Sequence, residues 1–288
     1  MTDKSQSCLH YQPADKGRNF TATVNTVETS HDQWIGRGKL FIGVTLFILL
    51  LVACLHLLYW PNAVFQHFIS PSAILLSAGC VFYLTMIQLQ KKEKRDRIEH
   101  AVDVCEKAPD LNDVEAAMAS LQKHIKRRYQ QYLRTNPESA AIDNFEQQGE
   151  WEQSILLLEY FSREQPQQLA KLLDEFELKY PQLVAHIARV MAFFEKSAIG
   201  IELGHADDEV IWKRFNVAAL KYWVRGYGYI LKSWSRHSQS KHLLGAKELG
   251  YPYEHYEAWL RHHCEDEQLE EMLGRLHRIR LNMLKKLV

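Results

Sequence analysis

LFIGVTLFILLLVACLHLLYW, residues 40–60, is followed ten residues later by PSAILLSAGCVFYLTMIQL, residues 71–89. Neither stretch contains Asp, Glu, Lys or Arg, and neither does the link 61–70. Each is about 20 residues long, the length a helix needs to cross roughly 30 Å of hydrocarbon. A core helix of a globular protein rarely runs this far without a charge on its outer face. The two stretches therefore predict a transmembrane helical hairpin.

The flanks set the expected orientation. Arg37 and Lys39 precede the first stretch, and Lys91, Lys92, Lys94, Arg95 and Arg97 follow the second. Lys and Arg gather on the cytoplasmic side, so both termini are expected there, in a multi-pass protein of a bacterial inner membrane. Tyr59, Trp60 and Phe65 fall at the outer boundary, where aromatic rings prefer to lie. Gly43, Ala73, Ser77 and Gly79 are small enough to let helix backbones approach closely, either within one hairpin or between copies in a homo-oligomer. Ser70-Pro71 reads as a helix start, with Pro at the first helical position.

Working outward, residues 1–38 are polar and without period and read as a disordered cytoplasmic tail. Residues 39–90 hold the hairpin and 91–135 read as juxtamembrane helices. The stripe Val114, Met118, Leu121, Ile125, Tyr132 opposes Lys123, Lys126, Arg127 and Arg128, a basic face that suits either solvent or anionic lipid.

Residues 136–288 read as a cytoplasmic multi-helix bundle, which makes the chain all-α. Helical stripes occur at Trp151, Ile155, Leu158, Phe161 and at Leu169, Leu172, Leu173, Phe176. A longer one begins at Pro181 and stops near Gly204. Asp207, Asp208 and Glu209 supply an acidic first turn for a helix running to Trp234, weakened at Gly226 and Gly228. The last helix, 266–287, has a heptad-like seam of Leu269, Met272, Leu276, Ile279 and Met283, suited to packing within the domain or between subunits.

Composition excludes several classes. Lys plus Arg and Asp plus Glu are 35 each, so no general polyanion-binding surface is implied. The five cysteines form no CxxC pair, which argues against a zinc ribbon or a disulfide framework. No phosphate-cradling glycine loop and no HExxH helix occur. His262-His263-Cys264 holds ligand-type residues, but neighbours on a regular helix point in different directions, so no metal and no cofactor is expected. Glu195 follows Phe193-Phe194 in an apolar helix, and an isolated buried carboxylate is costly. A structural ion pair is therefore expected with a cation of the following helix, Arg225 or, foremost, Arg236.

Arg236 and His242 also resemble the R-x(4–6)-H motif of HEPN ribonucleases, small all-helical domains. That resemblance implies His242 as proton shuttle, Arg236 as the group stabilising phosphate charge, and RNA as partner. The plain alternative is a cationic helix end.

A wider resemblance covers Phe193-Phe194-Glu195, Ile199-Gly200-Ile201, Asp207-Asp208-Glu209, Trp223, Arg236 and Tyr253-Glu254-His255-Tyr256-Glu257-Ala258-Trp259-Leu260. These residues are similar to a bacterial family catalogued as a domain of unknown function, number forty-seven-sixty. It implies a membrane-anchored helical accessory or effector protein of the kind found beside phage-defence systems, acting on the bilayer with a cytoplasmic protein partner and without enzymatic activity. The helices between Gln90 and Tyr180 are an insertion relative to that family.

Overall fold

The computed structural model describes residues 65–136, 144–244, 251–264 and 267–287, with side chains for all of these except 65–76, 238–244 and 284–287. Among the described residues there are nine α-helices and no strand, as the 3.6-residue stripes predict. They are α1 (Phe65–Glu106), α2 (Leu111–Thr135), α3 (Glu150–Glu164), α4 (Pro166–Lys179), α5 (Pro181–Glu202), α6 (Asp208–Arg225), α7 (Tyr227–Leu244), α8 (Glu254–His262) and α9 (Glu267–Leu287). The chain divides into two units near residue 100.

The unit before that division contains most of α1. The helix does not begin at Ser70-Pro71 but at Phe65, and it continues past Leu89 to Glu106. Pro71 is the seventh residue of this helix, an interior position where proline lacks the backbone donor and crowds the preceding turn. Val81, Phe82, Leu84 and Leu89 are exposed, and the exposed residues that follow, Lys91 to Asp96, are all charged. Among the described residues no helix is long and apolar enough to cross a membrane. The first expected span and Gly43 lie outside the described residues, and the side chains of the second span, Ala73 included, are described only from Ser77 onward. At Gly79 no described atom lies within 4 Å of the Cβ position.

In the unit from Ala101 onward, α2 packs along α5, α9 along α3, and α8 on α5, while α4 and α7 close the remaining sides. The boundary expected at residue 136 falls inside this unit, which begins near Ala101. Helix α2 packs into its core, since Val114, Ala117, Met118, Leu121, Ile125 and Tyr129 are buried. Part of its basic face is committed to protein as well. Lys126 Nζ lies 2.8 Å from Glu146 and 5.1 Å over the Phe145 ring, and Arg128 lies 2.9 Å from Glu175.

The stripes of α3, α4 and α5 are buried as expected apart from half-buried Trp151 at the start of α3, with Leu169, Ile187, Val190, Met191 and Phe194 among the most enclosed. Gly204, at φ 69°, ends α5 in the left-handed region that glycine enters freely. The helix expected from 207 to 234 is two helices. Gly226 caps α6, and a Cβ there would collide with the Met191 and Met118 methyls and lie 2.8 Å from the Tyr222 carbonyl oxygen. Of the expected α9 seam, Leu276, Ile279 and Met283 are buried inside the chain, whereas Leu269 and Met272 are half-buried and Leu273, outside the expected seam, is buried.

Candidate functional site

Phe194, Glu195, Asp208 and Trp223 meet around one short helix. Helix α8 has nine residues, Glu254–His262, fewer than an isolated helix needs to persist in water. Its N-cap position is Tyr253, at φ 65° and with no side-chain cap of its own. Glu195 of α5 supplies that cap from elsewhere in the chain. Its two carboxylate oxygens accept the backbone N–H of His255 at 3.4 Å and of Tyr256 at 2.8 Å. Glu254 reaches back to accept the N–H of Tyr251 at 3.2 Å. Negative charge at the positive end of the helix dipole favours both contacts. Burial is the largest influence on the Glu195 carboxyl and raises its pKa above the usual glutamate value, despite the two N–H groups and nearby His255.

The flank of α8 toward α5 and α6 is aromatic. Tyr256 stacks on Phe194 at 4.9 Å, meets Trp223 edge-on at 4.9 Å, and donates its hydroxyl to the Ala219 carbonyl at 2.6 Å. The opposite flank carries a buried ion pair. Glu257 accepts from Arg280 of α9 at 2.6 Å and from Arg261 at 3.1 Å. Arg280 is 1% exposed, and its guanidinium lies 3.8 Å over the Trp234 ring, which itself stacks on Tyr251 at 4.4 Å. Burial would raise the Glu257 pKa, but Arg280 and Arg261 outweigh it and hold the carboxyl below its ordinary value. His277, half-buried and beside Arg280, is driven down to about 4.

At the far end of α8, three ligand-type side chains converge. Asp207 caps α6 by accepting the Val210 N–H at 3.1 Å, which makes Asp208 the first residue of that helix. Asp208 Oδ1 accepts the Trp259 indole N–H at 2.7 Å and lies 3.0 Å from His263 Nε2, while Oδ2 lies 3.7 Å from His262 Nε2. His262 ends α8 and His263 is its C-cap, with φ −91° and ψ 6°. The helix has stopped between them, so the reason for discounting adjacent histidines fails here and both rings face one carboxylate. Trp212 stacks on His263 with ring centres 4.0 Å apart. Burial pushes the Asp208 carboxyl up, but the His263 and Trp259 hydrogen bonds and the charge of both imidazoles bring it below its ordinary value.

Each member of the expected Glu195–Arg236 pair has a different partner. Arg236, on α7, forks onto Glu177 at 2.6 and 3.3 Å and lies 3.8 Å from Asp174. With Lys232 it holds the Glu177 carboxyl below its usual pKa. Arg225, the other cation considered, is buried against Glu115 and donates to Gln122 at 2.9 Å. His242 lies on α7 with its side chain outside the described residues. Six residues apart on one helix, it stands about 120° round the axis from Arg236, so one chain does not align the two on a single face. Among the described residues, the cavity beside Glu177, lined by Leu121, Phe176, Ile187 and Lys232, holds about 10 Å³, the space of roughly one water.

No protein-family model matches the chain, and no curated protein or solved structure matches it either.

Proposed function

We propose that this chain is a membrane-anchored, non-enzymatic accessory or effector protein. In this reading the hairpin 39–90 sits in a bacterial inner membrane with both termini cytoplasmic, and the helical unit docks a cytoplasmic protein partner. Self-association runs through the small residues of the hairpin, because Leu276, Ile279 and Met283 of the α9 seam are already buried within the chain. Anti-phage defence is the setting that the family resemblance implies.

The observation that carries the reading is the change of surface along α1. Exposed apolar side chains at Val81, Phe82, Leu84 and Leu89 give way within one turn to the charged run Lys91–Asp96. A single helix that changes from apolar to basic in this way matches a path from hydrocarbon to the cytoplasmic headgroups, where Lys and Arg are favoured. The charge-free stretch 40–60 supplies the partner span.

Extraction of membranes with alkaline carbonate tests the reading. The full chain is expected to stay in the membrane pellet, and a chain beginning at residue 101 is expected in the supernatant. Release of the full chain would overturn it. RNA cleavage that disappears in the Arg236→Ala/His242→Ala double variant would instead favour the ribonuclease alternative.

A further inference from the structure

One ligand atom each from Asp208, His262 and His263 lies within 4.8 Å of the other two, where the start of α6 faces the end of α8. We propose that these three side chains form a zinc site, with Asp208 Oδ2, His262 Nε2 and His263 Nε2 as protein ligands and water in the remaining position. Two imidazoles and one carboxylate form a recurrent zinc ligand set when a fourth position is left open. Calcium and magnesium favour all-oxygen shells, which this set cannot supply.

The surroundings orient each ligand before any ion arrives. The Trp259 indole N–H donates to Asp208 Oδ1 at 2.7 Å and leaves Oδ2 turned toward His262. An outer hydrogen bond of this kind fixes a ligating carboxylate. Trp212 covers one face of the His263 ring at 4.0 Å, and Trp259 meets it edge-on at 5.9 Å. The three side chains are 17–19% exposed, open enough for an ion to enter and enclosed enough to limit competing water. The ion joins positions 55 residues apart, from Asp208 to His263, and so staples the first turn of α6 to the end of α8.

The test uses the full chain in detergent, free of any histidine tag, stripped with chelator and reloaded with zinc chloride. About one zinc per chain is expected to survive gel filtration and to raise the unfolding midpoint, since an ion that binds only the folded state stabilises it. His262→Gln and Asp208→Asn are each expected to weaken zinc binding about tenfold or more, with metal-free helical content unchanged. A wild-type chain that retains no zinc, or variants that bind it as wild type does, would overturn the proposal. If a variant fails to fold, cobalt in the wild-type chain decides. Intense visible bands of four-coordinate cobalt support the site, and the weak bands of six-coordinate cobalt count against it.

Discussion

Helix α8 is held by two glutamates, buried Glu257 and half-buried Glu195, that are kept in opposite ways. Glu257 is on the helix itself and faces two guanidinium groups, so its charge is matched by charge. Glu195 comes from α5 and faces two backbone N–H groups, so its charge is met by dipoles. Both are withdrawn from water, yet the pKa of Glu257 is lowered and that of Glu195 is raised. Full charges close by outweigh desolvation, whereas one short and one long N–H contact do not. The same residue type thus acts as a lock on one flank of α8 and as a cap at its start.

The strongest way to break the comparison is at Arg280. Arg280→Met leaves Glu257 enclosed with Arg261 alone and removes the guanidinium from Trp234. Loss of a buried partner of this kind costs about 3–5 kcal/mol, and urea unfolding is expected to show a loss near the lower end because Arg261 remains. The double change Glu257→Leu/Arg280→Met is expected to cost less than the single one, because no fully buried charge is left unpaired, and Arg261, which also loses Glu257, is 17% exposed and still donates to the Leu273 carbonyl.

Glu195→Ala removes the cap and leaves the two N–H groups without an acceptor. An expected loss of about 1–2 kcal/mol follows in the same titration, with Glu195→Gln losing less because its carbonyl oxygen still accepts.

The smallest effect has the most telling sign. The raised pKa of Glu195 contributes stability that is fully present below the ordinary glutamate value of 4.5 and is lost as pH rises through the folded value. The lowered pKa of Glu257 does the reverse, contributing stability above 4.5 that is lost as pH falls through the folded value. Stability measured from pH 3 to 6 is therefore expected to fall more steeply on acidification in Glu195→Gln than in wild type, and less steeply in Glu257→Gln. Equal slopes in all three chains would mean that the two sites do not differ.

The sequence discloses one half of this arrangement more readily than the other. Leu169, Leu172, Leu173 and Phe176 fall at helical spacing and are all buried, so the helix and its inner face are visible in the residue types. Pro181, Asp207 and Gly204 mark ends for the same reason, because each has a local chemical preference. The partner of Glu195 has no such signature. A carboxylate bound to the backbone N–H groups of a distant helix leaves no complementary residue to find, and Arg236 drew attention only because it is a cation. His262 and His263 illustrate a related limit. Whether adjacent histidines converge depends on the residue at which α8 stops, and helix ends are uncertain by one or two positions. The basic face of α2 suits solvent or anionic lipid when read from the sequence, but part of it contacts Glu146 and Glu175, carboxylates remote in sequence.

The external cap of α8 also bears on the order of folding. The Glu195 contact closes a loop of 60 residues around a helix too short to stand alone. Local helices such as α4 and α5 can form before that closure, so α8 is expected to consolidate after the rate-limiting step. Changes at Glu195 then accelerate unfolding while leaving the folding rate nearly untouched. A weakened cap shortens the lifetime of the folded unit without delaying its formation.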